Sequence, residues 1–144
     1  AASDVYKRQT ERYNIKGKDV VAGNCKYYLN DLSFKNFLYP GFAYGVGYLL
    51  ENAVYLELRR LGYIVYTGSF RDKEVDFVAM KDDRVIYLQA TYMLETAQTM
   101  EREYAPLLTI GDNYEKYVVS MDEVQFPSNE GVRHIQAWNL KEIL

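Results

Sequence analysis

Glu74-Val75-Asp76-Phe77-Val78-Ala79-Met80, the turn Lys81-Asp82-Asp83, and Arg84-Val85-Ile86-Tyr87-Leu88-Gln89-Ala90-Thr91-Tyr92-Met93 form the stretch on which the fold turns. Both runs follow the two-residue period of a strand with one face against a core. The alternation places Val75, Phe77 and Ala79 on one face of the first run and Glu74, Asp76 and Val78 on the other. On the second, Ile86, Leu88, Ala90 and Tyr92 share a face, opposite Val85, Tyr87, Gln89, Thr91 and Met93. Ile64–Phe70, aromatic and β-branched, precedes them across Arg71-Asp72-Lys73. Two connections this short predict three antiparallel neighbours.

Outward from this meander the pattern changes to helical. Over residues 45–61, Val46, Leu50, Ala53, Val54, Leu58 and Leu61 fall on one arc, and Gly62 stands where a helix C-terminal cap belongs. Two carboxylates sit awkwardly on this helix: Glu57 within the apolar arc and Glu51 on its edge. Downstream, residues 96–110 predict a second helix, capped by Thr96 or Thr99, with Glu101 and Glu103 in its early turns and Pro106 as a kink or early stop. Residues 116–121 and 131–138 read as strands, and 140–144 as a short final helix. The order is α-β-β-β-α-β-β-α, an α/β (α+β) chain with a mixed sheet flanked by helices.

Upstream, residues 10–42 read as a lead-in rich in turns, with one short strand, Lys26-Tyr27-Tyr28-Leu29, between Ala22-Gly23-Asn24 and Asn30-Asp31, and a close at Pro40-Gly41. Its low apolar content predicts that it docks on something else. Residues 1–9 show no period and read as a non-native or disordered run-in. The chain opens on Ala rather than Met, so the expectation is a processed product or a piece of a longer protein.

Of the 144 residues, 49% are hydrophobic and 26% charged, which excludes a disordered or collagen-like chain. A chain of this length buries roughly 70% of its unfolded surface without staples. One cysteine, Cys25, excludes an intramolecular disulfide. With one histidine, His134, it also excludes a four-ligand structural zinc site. No apolar run approaches the ~18 residues of a membrane span and no signal-peptide pattern opens the chain, so the expectation is a cytoplasmic protein without a membrane partner. Residues 1–62 hold nine Lys/Arg against six Asp/Glu, and residues 63–144 eight against fourteen, so the net charge of −3 divides into +3 and −6. The second half is a poor match for a phosphate backbone and a better one for a cation, or is simply a solvated acidic surface.

Several chemistries are excluded by motif. No phosphate-binding Gly-x-x-x-x-Gly-Lys-Ser/Thr loop and no Gly-x-Ser-x-Gly elbow occur. The glycines of residues 41–47 read as a flexible entry to the first helix. Cys25 and His134 are a nucleophile–base pair only in principle, since Cys25 lies in the lead-in. The better constellation is Asp76 with Gln89-Ala90-Thr91, to which Glu51 can be added from the helix edge. Three oxygen-bearing side chains, Glu51, Asp76 and Gln89, can then converge as hard-cation ligands for Mg²⁺ or Mn²⁺. The plainer alternative is a polar sheet face turned to solvent.

The order α-β-β-β-α-β, with Glu51 on a helix, Asp76 on a strand and Gln89-Ala90-Thr91 where a Glu/Gln-x-Lys strand belongs, resembles the restriction-endonuclease-like (PD-(D/E)XK) fold. Gly47-Tyr48-Leu49-Leu50-Glu51, with Leu58 and Gly62-Tyr63, is similar to the opening helix of its resolvase-type members. The resemblance implies that Glu51, Asp76 and Gln89 stand at the metal positions and that Thr91 replaces the lysine that orients the attacking water. A hydroxyl supplies no fixed positive charge, so the site looks catalytically degenerate. Lys73, Lys81 and Arg102 are candidates for a migrated cation. Arg102 is favoured among them, against the alternative that it pairs with Glu101 or Glu103 or with the carboxylates of the first helix.

A closer resemblance spans residues 11–144. Glu11-Arg12-Tyr13-Asn14-Ile15-Lys16-Gly17-Lys18, Leu50-Glu51-Asn52-Ala53-Val54-Tyr55-Leu56-Glu57-Leu58, Glu74-Val75-Asp76-Phe77-Val78, Tyr87-Leu88-Gln89-Ala90, Thr99-Met100-Glu101-Arg102-Glu103 and Ile110-Gly111-Asp112-Asn113-Tyr114-Glu115-Lys116 occur in order. They look like the C-terminal domain of unknown function 4143, which follows a P-loop (AAA-type) ATPase module in bacterial and archaeal proteins. The resemblance implies that residues 10–42 lead in from a winged-helix/ATPase module and that 43–144 form the nuclease-like domain. It also implies that ATP belongs to the parent protein alone. Three functions follow as expectations: an accessory domain that binds the ATPase module, DNA or another protein without cutting; a Mg²⁺-dependent DNA endonuclease with a migrated basic residue; or a homo-oligomerisation module built on tyrosines such as Tyr44, Tyr48, Tyr55, Tyr63 and Tyr66.

Overall fold

Alternation along the central stretch produces the predicted meander. In the computed structural model, which describes residues 7–33 and 45–144, Ile64–Phe70, Lys73–Lys81 and Arg84–Ala90 are antiparallel neighbours. Around them run, in chain order, strands β1 (Lys7–Asn14) and β2 (Asp19–Leu29), helix α1 (Val46–Arg60), the meander strands as β3, β4 and β5, helix α2 (Ala97–Leu108), and strands β6 (Glu115–Ser120) and β7 (Val132–Gln136). A 3-10 helix, Ala137–Glu142, follows β7, where the sequence pattern places an α-helix over residues 140–144. One seven-stranded mixed sheet results, in the order β2-β1-β3-β4-β5-β6-β7. The pairs β1–β3, β5–β6 and β6–β7 are parallel and the rest antiparallel. Residues 1–6 of the expected run-in, the Pro40-Gly41 turn and Tyr44 lie outside the described residues.

Each face of the sheet carries one core and one helix. Leu50, Val54, Tyr55 and Leu58 of α1 pack on Phe77, Ala79, Ile86, Leu88 and Val119. Tyr104 and Leu107 of α2 pack on Val75, Val78, Tyr87 and Val118. The caps follow the sequence signals. Gly62 adopts φ 89°, and Gly62 N–H and Tyr63 N–H donate to Arg59 and Leu58 carbonyls at 3.1 and 3.0 Å, the two closing bonds of a Schellman turn. Thr96 Oγ1 accepts from Thr99 N–H at 3.0 Å and starts α2, which continues through Pro106 to Leu108 without stopping. Tyr55 and Tyr63 are core residues, 3% and 2% exposed.

The lead-in differs from its sequence reading. Lys7, Arg8 and Gln9, assigned there to a run-in, are the first residues of β1, and the strand expected at Lys26–Leu29 extends back to Asp19. The sheet therefore crosses the boundary drawn at residues 42 and 43. The reason is that β2 is an edge strand, exposed over most of its length, and carries no apolar alternation. Ala22-Gly23-Asn24 is not a turn but the heart of a bulge. Two steps along β1, Thr10 to Arg12, match five along β2, Val21 to Lys26. Arg12 Nε closes it on the Asn24 carbonyl at 2.9 Å. The three extra residues reverse the phase of β2, and Lys26 and Tyr28 turn towards α1.

A second bulge corrects the faces of β4. Tyr66 pairs with Val78 but Gly68 with Val75, so one residue is inserted on the β4 side. Val75 and Val78 consequently share the α2 face, while Phe77 and Ala79 pack under α1. Asp76 points to the α1 side as well, not to the face opposite Phe77. A Cβ on Gly68, opposite the bulge, would meet Val78 Cγ2 at 2.8 Å, Ile15 Cδ1 at 3.0 Å and Val75 Cβ at 3.1 Å. Gly68→Ala therefore overpacks the bulge, and urea unfolding should show a loss of about 1–3 kcal/mol without a change in m-value.

Candidate functional site

Both bulges aim polar side chains at one spot beneath α1. Glu51 comes from the helix, Glu74 and Asp76 from β4, and Lys26 and Tyr28 from β2. The Lys26 ammonium lies 2.9 Å from Glu51 Oε1, 2.8 Å from Glu74 Oε1 and 3.3 Å from Asp76 Oδ1. Tyr28 donates its hydroxyl proton to Glu51 Oε1 at 2.7 Å. Arg12 Nη2 holds the outer oxygen of Glu74 at 3.1 Å. Asn52, fully buried on α1, accepts from Leu29 N–H at 2.8 Å and donates to the Leu29 carbonyl at 3.0 Å. That two-point clasp ties the end of β2 to the helix and sets Lys26 against Glu51.

The electrostatics are those of three carboxylates around one ammonium. Burial, then the Glu51 charge, pushes the Asp76 carboxyl up to about 7, against the pull of Lys26 and of Ala90 N–H. Burial alone would lower the Lys26 pKa, but Asp76 and Glu51 raise it well above that of an ordinary lysine. Burial would raise Glu74, yet Lys26 and Arg12 hold it below the usual carboxylate range. Burial and Glu51 together lift Tyr28 so far that its phenol remains a donor.

Of the residues singled out from sequence, Glu51 and Asp76 converge. Gln89 reaches Asp76 differently: its Oε1 accepts from Asp76 N–H at 3.0 Å, while Asp76 Oδ2 accepts from Ala90 N–H at 2.9 Å. The β4–β5 ladder ends at Phe77–Leu88, and these two side chains satisfy the backbone groups beyond it. Thr91 is 9% exposed, with its N–H on the Val119 carbonyl at 3.0 Å, and brings no charge. Arg102 is on α2, across the sheet from the cluster, paired with Glu103 at 2.7 Å. Lys81 donates to the Leu61 carbonyl at 2.8 Å, and Lys73 lies at the start of β4 beside Arg102. The cation that reaches the carboxylates is Lys26, which none of these candidates named. The one sequence signal was a lysine two positions from an aromatic residue on a strand that needed something to dock against.

Cys25 and His134 do not meet, since β2 and β7 are the two edges of the sheet. His134 instead braces the chain after β6. Its Nδ1 accepts from Phe126 N–H at 3.0 Å, so the proton sits on Nε2, which donates to Ser120 Oγ at 2.8 Å; Ser120 donates to Asp122 Oδ2 at 2.6 Å. Burial lowers the His134 pKa against the opposing Asp122 charge, and the ring stays neutral.

Carboxylates suit Mg²⁺ or Mn²⁺ chemically. Yet the oxygens that converge here do so on Lys26, and among the described residues no group of three or more His, Cys, Asp or Glu side chains is arranged to hold a metal ion. The residues as placed do not fit a divalent cation. Among the described residues, no helix is long and apolar enough to cross a membrane.

No family model and no solved structure matches the chain. It is 33% identical over 112 residues to a protein of Haemophilus influenzae that carries the name "Uncharacterized protein". The match covers 78% of this chain and 27% of that relative, so the chain spans about a quarter of the relative's length.

Removing the ammonium while keeping its stem, Lys26→Met, leaves buried Asp76 and part-buried Glu51 without their counter-ion and should lower stability by about 2 kcal/mol in urea titration at neutral pH. Asp76 binds its proton more tightly folded than unfolded. Its contribution is therefore fully present below the unfolded pKa of 3.8 and is lost as pH rises through about 7. Asp76→Asn lacks this titration, so its stability relative to wild type should increase between about pH 4 and about pH 8, read from urea midpoints across that range.

Proposed function

We propose that this chain is the C-terminal accessory domain of a P-loop ATPase, of the domain of unknown function 4143 type, with a restriction-endonuclease-like core that holds a partner rather than cutting it. The observation that carries the reading is the Lys26 ammonium within 2.8–3.3 Å of Glu51, Glu74 and Asp76. The carboxylates that the resemblance assigns to a metal are neutralised by the chain's own lysine, and Thr91 brings no charge to the position where the superfamily has one. The order α1-β3-β4-β5-α2-β6, with an acid on the first helix and another on the middle meander strand, supports the core assignment. The relative from H. influenzae extends well beyond the matched segment, which leaves room there for an ATPase module.

A second reading has one observation in its favour. Lys26 lies 3.3 Å from Asp76, where a migrated catalytic lysine of a Mg²⁺-dependent endonuclease would lie. The two are separated by incubating plasmid and single-stranded DNA with wild type, Asp76→Ala, Lys26→Met and Thr91→Lys in Mg²⁺ and Mn²⁺. The accessory reading expects intact DNA from wild type. Cleavage by wild type that both Asp76→Ala and Lys26→Met abolish would replace it with the endonuclease reading and make Lys26 the migrated base.

A further inference from the structure

Met100, Tyr104 and Leu108, four residues apart on α2, share one flank of the helix. Facing them is the connection from β6 to β7, which is pinned along β7. Phe126 N–H donates to His134 Nδ1 at 3.0 Å, and its ring stands edge-on to the imidazole with centroids 5.1 Å apart. Gln125 Nε2 donates to the His134 carbonyl at 3.2 Å, and Asn129 and Val132 exchange backbone bonds of 2.9 and 2.8 Å. Each wall is therefore anchored on its own, and a preformed groove of about 530 Å³ runs between them. It lies on the α2 side of the sheet, the face opposite the carboxylate cluster.

The lining is largely apolar. Met100, Leu108 and Phe126 are half-buried against the α2-side core. Tyr104 lines the groove from the helix side and is 5% exposed. Among the described residues, its hydroxyl is the buried side-chain polar atom left without a hydrogen-bond partner. Buried hydroxyls are almost always paired, because leaving one unpaired costs its desolvation. Burial, then the Asp122 charge, raises the Tyr104 pKa, so the phenol keeps its proton and what it lacks is an acceptor. No basic side chain is among the lining residues, and Glu101 stands exposed at the edge. A carboxylate or phosphate would enter without a counter-ion and against like charge.

We propose that this groove binds a small neutral molecule with an apolar body and one hydrogen-bond acceptor, such as a ketone. The body lies between α2 and Phe126, and the acceptor takes the Tyr104 hydroxyl proton. The volume is in the range of small-ligand sites, and a polar group set in apolar walls is how such sites fix orientation. Met100 is the flexible part of the wall, able to follow the shape of what enters. The site is independent of the partner-holding reading, which concerns the other face of the sheet.

Fluorescence titration with prodan, a neutral naphthalene dye carrying one ketone, tests it beside the same dye without the ketone and the matching naphthoate. Wild type should bind prodan with a blue shift in its emission. The ketone-free dye should bind roughly threefold to tenfold more weakly, the fold-change of one neutral hydrogen bond, and the naphthoate more weakly still. Tyr104→Phe should reduce prodan to the level of the ketone-free dye and leave the latter unchanged. Leu108→Glu, at a half-exposed position, should abolish binding of both; should it fail to fold, Tyr104→Phe carries the test. Without ligand, Tyr104→Phe should melt no lower than wild type, since the hydroxyl has no bond to lose. Absence of prodan binding by wild type, unchanged prodan binding by Tyr104→Phe or by folded Leu108→Glu, or naphthoate binding as tight as that of prodan would overturn the proposal. A lower melting temperature for unliganded Tyr104→Phe would also overturn it, because the hydroxyl would then be served by a bound water.

Discussion

Lys26 is the interaction around which the N-terminal half of the sheet is organised. Asp76 is 8% exposed on a central strand, and a carboxylate there is tolerable only if it is protonated or neutralised. Neither α1 nor the meander supplies a cation to it. The ammonium comes from β2, at the far edge of the sheet, with two strands between. For it to arrive, β2 must reverse its phase, run back along β1 and end against α1. The bulge opposite Thr10–Arg12 does the first, and the Asn52 clasp on Leu29 does the last. Tyr28 and Asn52 thus serve the same end as Lys26, and the packing of Tyr28 on Tyr55 follows from it.

The second bulge, in β4, creates a different problem and solves it locally. Inserting a residue at Asp76 turns the carboxylate under α1 but leaves the ladder to β5 without partners past Phe77. Gln89 and Asp76 each reach across to a backbone N–H of the other's strand. A neutral amide suits this better than a carboxylate would. Glutamate at position 89 would set a second charge against Asp76, whose carboxyl burial and Glu51 already push up. Gln89 is therefore explained as a strand splice, independently of any metal.

The meander, the start of α2 and the stop at Gly62 were legible because each rests on local chemistry: alternation, a threonine cap, a glycine at positive φ. Glu51 and Asp76 were legible as a pair. What misled was phase. A strict two-residue period places Asp76 opposite Phe77, and only the bulge, which has no signature beyond Gly68 on the neighbouring strand, puts them on one side. Ala22-Gly23-Asn24 likewise reads as a turn because turns and bulges favour the same residues. Lys26 was hidden by this ambiguity: no spacing rule connects it to Asp76, 50 residues on. β1 and β2 lack a buried stripe, so composition alone left them outside the fold.

Whether a divalent ion can take the place of Lys26 is a question of competition between cations. The lysine is tethered, and its three contacts of 2.8–3.3 Å are charge-assisted hydrogen bonds, strongest at buried Asp76 and most screened at Glu74, whose side chain is 39% exposed. Mg²⁺ must enter from solution, shed water reluctantly and find its ligands in near-octahedral array. The three carboxylates are instead arranged around a single ammonium nitrogen, with one Glu51 oxygen also taken by Tyr28 and the outer Glu74 oxygen by Arg12. An entering ion has to break the lysine contacts and draw Glu51 or Glu74 away from those second partners. Lys26 and a divalent ion therefore compete for the same oxygens. The stacked Tyr28–Tyr55 pair continues the network into the core under α1, because Tyr28 is hydrogen-bonded to the same Glu51 oxygen that Lys26 holds.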